Sequence, residues 1–179
     1  TPDYLQPREC NYQQLSPLTF LERSAWIHRS KPAVIHGEQR FTYPELFERS
    51  RRLASALAGL GIGHGDTVSV MAPNVPPLLE AHFGVPALGA VLNALNIRLD
   101  VPTIAHILDH GGAKVLITDT EFAPVIKEAL ALAKSNPVVM DYADLTAPEG
   151  ERLGSLDYEE FLASGNPEHP WELPTNEWD

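Results

Sequence analysis

Two imidazoles four residues apart, His106 and His110, are the first pair whose spacing could do chemistry. On a helix that spacing puts both rings on one face, as in zinc hydrolases, with Asp109 where one such pattern carries Glu. A catalytic zinc also needs a third protein ligand and a general base, and no downstream His or Glu stands at a suitable spacing. Two solvent-facing histidines near a helix end explain the pattern better. Gly61, Gly63 and Gly65 could suggest a phosphate loop, but such loops run from a strand into a helix so that the helix N-terminus meets the anion. Here the glycines run from a helix into a strand, and they read as a helix terminator.

Other reactive residue types fare no better. Ser16, Ser24 and Ser30 lack a Gly-x-Ser-x-Gly setting, so no nucleophile elbow is visible. Cys10 lies in an irregular arm and reads as incidental rather than catalytic. His82 and Phe83, on the helix before the central strand, read as core or helix contacts. Asn93, Asn96 and Arg98 fall just past the carboxyl end of a strand at 90–92, where open parallel sheets bind ligands. Asparagine in a turn and an Arg98–Asp100 pair explain them equally well as scaffold. From the residues alone no catalytic, cofactor-binding or metal-binding position is assigned.

The elements that hold these residues follow from periodicity. Ser16-Pro17 opens a helix over 17–29, and residues 33–36 and 40–42 form a hairpin around Gly37-Glu38-Gln39. Thr42 and Glu45 make a capping box for the most clearly patterned helix, 43–60. A strand at 67–71 follows. Asn74, Pro76 and Pro77 open a helix running towards Leu88, with a kink or early end near Pro86. Asp100 caps a helix closed by Gly111-Gly112, residues 114–118 form a strand, and Thr118 with Glu121 repeats the capping-box pattern before a helix through Ala133. Residues 137–140 are a last strand. Strands alternating with helices predict an α/β fold, a mainly parallel sheet with helices on both faces.

Composition bounds the class. With 179 residues, 44% apolar and 21% charged, the chain reads as one ordinary globular domain. A formal charge of −11 argues against nucleic acid or an anionic membrane surface as partner. Eleven of the acids and a single Arg fall between Asp141 and Asp179, which reads as a solvated end where only Tyr158 to Leu162 looks helical. No apolar run reaches the ~18–20 residues of a membrane span, and the first residues show no secretory leader. One cysteine excludes an internal disulfide, and a cytoplasmic location is expected. The organisation expected is an extended arm over 1–15, an α/β subdomain over 16–141, and an acidic, Pro-containing linker over 142–179.

Four segments in order then resemble a known family. Phe41-Thr42-Tyr43-Pro44-Glu45-Leu46 resembles the first core motif of adenylate-forming acyl-CoA synthetases. Gly65-Asp66-Thr67-Val68-Ser69-Val70-Met71-Ala72-Pro73-Asn74 is similar to their Gly-Asp-x-Val-Ala segment, and Leu88 to Asn96 to their second core motif. Ile107 to Asp119 resembles their Ile-Leu-x-x-x-x-Ala-Lys-Val-Leu-x-x-Asp segment.

The resemblance implies the N-terminal part of the large domain of an acid–CoA ligase, with ATP, Mg2+ and CoA as cofactors of the full-length enzyme and a medium-chain, aromatic or short thioether carboxylic acid as substrate. The family's phosphate loop, its nucleotide contacts and its catalytic Lys lie downstream in that pattern, so none of its catalytic residues transfers to a position here. A fragment without adenylation activity is expected, prone to self-association through surface meant for the rest of the domain. The alternative is a non-catalytic binding module that keeps half of the fold.

Overall fold

The computed structural model describes residue 4, residues 14–171 and residues 173 and 174. Most of the expected 1–15 arm, including Cys10, lies outside the described residues, as do residue 172 and residues 175–179.

Helix α1 (Pro17–Ile27) starts where Ser16 Oγ accepts the Leu18 N–H, with Pro in the first turn. Strands β1 (Pro32–His36) and β2 (Gln39–Thr42) form an antiparallel hairpin turned at Gly37, whose φ of 53° is left-handed. Helix α2 (Tyr43–Gly59) opens on the capping box: Thr42 Oγ1 accepts the Glu45 N–H, and Glu45 Oε2 accepts the Thr42 N–H at 2.7 Å. Strand β3 (Thr67–Met71), α3 (Pro76–Gly84), β4 (Val91–Ala94), α4 (Val101–Gly111), β5 (Ala113–Asp119), α5 (Ala123–Leu132) and β6 (Val138–Tyr142) then alternate, followed by β7 (Leu156–Asp157) and α6 (Tyr158–Ser164).

The five strands from β3 to β7 form one parallel sheet in the order β4-β3-β5-β6-β7. Strand β3 is buried along its whole length, because successive side chains point to opposite faces and both faces are covered. Val68, Val70, Val115, Ile117 and Met140 pack with Leu53 and Leu57 of α2, Ala81 of α3, and Tyr158 and Leu162 of α6. Met71 and Leu116 pack on the other side with Ile104 and Leu108 of α4 and Ile126 of α5. The chain steps outward from β3 to β4 and back across to β5, so right-handed crossovers put α3 and α4 on opposite faces.

Two local expectations change and a third, the early end near Pro86, holds. Helix α3 has Val75 at its N-cap with no side-chain cap, so Asn74 does not cap it. The helix ends at Gly84, and Pro86 opens a separate 3-10 turn (Pro86–Leu88), since its ring cannot follow α-helical residues without losing a hydrogen bond. Thr118 is buried inside β5 rather than capping a helix; Asp119 accepts the Glu121 N–H instead, through a one-turn 3-10 segment before α5.

The largest difference lies after residue 142. The acidic stretch read as a solvated linker supplies a strand to the sheet, and the helix expected at Tyr158 to Leu162 forms there and packs into the core. Tyr158 is fully buried, and Trp171 donates its Nε1–H to Leu18 O while its ring meets Phe47 edge-on, centroids 5.1 Å apart. Two glycines allow this return path: a Cβ on Gly154 would sit 2.1 Å from the Val139 carbonyl oxygen, and one on Gly165 2.0 Å from that of Arg52.

A buried ion pair joins this late segment to the rest. Arg49 Nε donates to Glu80 Oε1 at 2.6 Å, Tyr158 donates its hydroxyl to Glu80 Oε2 at 2.6 Å, and Arg49 Nη2 reaches Glu159 Oε1 at 2.7 Å. Burial lifts the Glu80 carboxyl above its usual range, against the pull of Arg49 and Tyr158. Burial acts against the Arg49 charge too, yet the hydrogen bond to Glu159 and the charge of Glu80 hold its guanidinium above its ordinary value.

Removing one partner of such a pair strands the other, at a typical cost of about 3–5 kcal/mol. Glu80→Ala is therefore expected to lower the urea midpoint far more than Glu48→Ala, which touches only the exposed Arg52 pair. Gly165→Ala is expected to cost at least about 1–3 kcal/mol by the same measurement, because backbone rather than a flexible side chain must give way.

Candidate functional site

Open parallel sheets bind ligands beyond the carboxyl ends of their strands, where neighbouring connections leave on opposite faces. That place here is the crevice between β3, which leads to α3 on one face, and β5, which leads to α5 on the other. Ala72, Pro73 and Asn74 leave β3 there; Thr118, Asp119 and Thr120 end or follow β5.

Asp119 has no solvent exposure; its Oδ1 accepts the Glu121 N–H at 3.0 Å, and its buried Oδ2 has no hydrogen-bond partner among the described residues. Burial pushes its pKa up, the charges of Asp144 and Glu121 add to that, and His36 opposes it. Asp144, in the loop after β6, lies with Oδ1 2.8 Å from His36 Nε2 and accepts the Thr146 N–H at 2.9 Å. Burial would raise the Asp144 carboxyl, but these hydrogen bonds hold it below its ordinary value. The His36–Asp144 contact thus ties the hairpin to the loop after β6, and Asp119 at the end of β5 lies close enough to feel both of their charges. Sequence reading missed this cluster because His36 and Asp144 are 108 residues apart and neither sits in a recognisable pattern.

Beside the cluster runs an apolar groove of about 550 Å³ between the hairpin and α3, lined by Val34, Ile35, Val75, Leu79 and Phe83 with His82 at its margin. His82 Nδ1 lies 2.7 Å from Leu78 O on its own helix, and Phe83 packs on the buried clusters. The arrangement offers an apolar surface and a carboxylate-imidazole group. It brings no nucleophile together with a base.

The remaining singled-out residues lie apart from this edge. Gly61 and Gly65 take left-handed φ values of 80° and 78° in the turn from α2 into β3, and the Gly63 N–H is accepted by Asp66 Oδ2. They close a helix and face no helix N-terminus. His106 and His110 are exposed, their rings stacked 5.6 Å apart, while Asp109 accepts the Lys134 and Ser135 N–H groups and so holds the α5–β6 loop. Among the described residues no group of three His, Cys, Asp or Glu could hold a metal ion.

Strand β4 runs to Ala94, so Asn93 lies inside it, not past its end, and donates from Nδ2 to Ser69 Oγ at 3.1 Å. Asn96 Oδ1 accepts the Arg98 N–H in the following turn. The expected Arg98–Asp100 pair does not form; Asp100 caps α4 by accepting the Thr103 N–H. Ser16 caps α1, and the Ser24 carbonyl accepts the His28 N–H at the end of that helix.

Comparison with known proteins accounts for this fold. The family model described as "AMP-binding enzyme" matches residues 21–174. The chain is similar to the peroxisomal acetate/butyrate–CoA ligase of Arabidopsis thaliana, 43% identical over 98% of this chain and 33% of that protein. It is likewise similar to an acetate–CoA ligase of Humulus lupulus, 42% identical over 98% of this chain and 33% of that protein. The chain thus spans about a third of the length of these curated relatives. Among solved structures, a benzoate CoA ligase from Burkholderia xenovorans LB400 aligns with a TM-score of 0.69 at 26% identity, covering 84% of this chain and 28% of that one. An anthranilate CoA ligase in complex with anthranoyl-AMP shares the fold, with a TM-score of 0.78 at 22% identity over 87% of this chain and 29% of that one. Matched by the family model over most of its length and by relatives at this identity, the chain belongs to the AMP-binding enzyme family.

Proposed function

We propose that the chain is the N-terminal part of an AMP-forming acid–CoA ligase acting on a small monocarboxylic acid. The observation that carries this is the 43% identity to an acetate/butyrate–CoA ligase across 98% of the chain. The parent reaction converts a carboxylate, ATP and CoA into acyl-CoA, AMP and pyrophosphate through an acyl-adenylate, with Mg2+ assisting the nucleotide.

The residues present do not by themselves fit a nucleotide. Asp119 and Asp144 stand at the carboxyl edge of the sheet, where a polyphosphate would meet like charge. Among the described residues no Ser/Thr/Gly-rich loop with a Lys runs from a strand into a helix. No step of the reaction is therefore assigned to a residue of this chain, and its part is to build the parallel sheet against which the rest of the enzyme works.

The lone cysteine supports a reducing interior. The named location of the Arabidopsis relative makes the peroxisome the compartment to test beside the cytoplasm. No helix among the described residues is long and apolar enough to cross a membrane.

Acid-dependent exchange of labelled pyrophosphate into ATP tests the reading. The full-length parent is expected to exchange with acetate or butyrate, and the 179-residue chain with neither. Exchange by the 179 residues alone would overturn the assignment of the chemistry to the remainder. A full-length parent inert towards acetate, butyrate, benzoate and cinnamate would favour a non-catalytic module.

A further inference from the structure

His106 and His110 stand on α4, which buries Ile104, Ala105 and Leu108 against the sheet. At about 100° per residue the two histidines come about 200° and 240° round the helix from Ile104, on the side turned away from that core, and both are exposed. Their rings are near parallel, with 18° between the planes and centroids 5.6 Å apart. Among the described residues their ring nitrogens have no hydrogen-bond partner. Asp109, between them in sequence, is engaged by the Lys134 and Ser135 N–H groups, and the Gly112 N–H closes the helix on the Leu108 and Asp109 carbonyls. The turn that carries the two imidazoles is therefore held in place while their nitrogens stay available.

We infer that His106 and His110 form a two-nitrogen chelate for a late first-row transition ion, with copper(II) the ion held best. Side chains four apart on a helix start about 5–6 Å apart at Cβ, and rings already side by side need only small rotations to bring one nitrogen of each to about 2.0–2.1 Å from a shared ion. Imidazole suits copper, nickel and zinc, whereas magnesium and calcium prefer oxygen, and among divalent ions copper(II) binds such ligands most strongly. His110 lies in the last turn of α4, where the negative end of the helix dipole favours a cation. A third protein ligand is a requirement of catalytic zinc; here water fills the remaining positions, in keeping with the absence of any three-residue metal group among the described residues. The bound ion would brace the last turn of α4 and, through Asp109, the loop between α5 and β6. No reaction is assigned to it, and nothing in it depends on the ligase reading.

The test titrates copper(II) chloride into the full-length parent, stripped of metal beforehand, by isothermal titration calorimetry. The variants are His106→Ala and His110→Ala, with His82→Ala as control, because His82 is exposed and has Leu78 and Pro86 rather than histidine four residues away. Alanine is the best helix former, so α4 is kept in both variants. The second imidazole binds intramolecularly, so each α4 variant should weaken one copper site by roughly tenfold or more, to the same extent, while the control leaves that site unchanged. Histidines elsewhere in the parent contribute the same background to every titration. Nickel(II) and zinc(II) should bind the same site more weakly than copper(II). If each α4 variant instead loses one weak site and the rest keep their affinity, the two imidazoles bind separately and the inference is overturned. Copper binding unchanged in both α4 variants overturns it as well.

Discussion

The contact on which the rest of the structure depends is the buried pair of Arg49 and Glu80. Helix α2 supplies the cation, α3 the anion, and α6 both a hydroxyl and a second carboxylate, while the Arg49 guanidinium lies 4.5 Å from the centre of the Phe41 ring at the end of the hairpin. An ion pair in this position is not a cheap source of stability, since desolvating two charges offsets much of their attraction. What it contributes is direction. A planar fork that must meet two carboxylates and an aromatic face permits one relative placement of four elements, whereas leucines would tolerate several.

With those elements fixed on one face, the sheet does the remaining sorting by alternation. Val68 and Val70 face α2 and α3, Met71 faces α4, and a shift by one residue would exchange the two cores. The segments that resemble the family's motifs turn out to be the joints of this assembly. Thr42 and Glu45 lock the passage from hairpin to helix; Asp66 accepts the Gly63 N–H and pairs with Lys114 at 2.5 Å, stapling the start of β3 to β5; Gly89 makes the left-handed turn into β4. Each is fixed by backbone geometry or a single hydrogen bond, which is why short local patterns suffice to recognise them.

The same distinction explains what could be read in the sequence. The parallel sheet, the capping box of α2 and the terminator at Gly61 were legible because their causes lie within a few residues of one another. Asn93 was placed outside its strand because polar residues usually end strands, and its partner, the Ser69 hydroxyl on the neighbouring strand, has no local signature. The stretch after residue 142 was misread for a related reason. Its charge density suggests solvation, yet Glu159 meets Arg49, and the Arg51 and Arg52 guanidiniums find the His169 and Gly165 carbonyls, so the acidic end runs back along the arginine-bearing side of α2. At the candidate site, His36, Asp119 and Asp144 come from three separate elements, and only the folded chain brings them together.

That return path has a consequence for the order in which the molecule can form. Tyr158 and Trp171 fill positions against residues that precede them by 78 and 153 places, so the larger of the two cores has no lid until the chain has been made as far as residue 171. During synthesis on the ribosome, α2 and α3 must wait, with Glu80 still able to reach water, for a helix that emerges near the end of the stretch. Closure through contacts so distant in sequence carries a large loop entropy and is slow compared with helix formation. The interval before α6 arrives is therefore the period in which the nascent sheet is most open to wrong partners, and the acidic character of the late segment helps keep it dissolved until it docks.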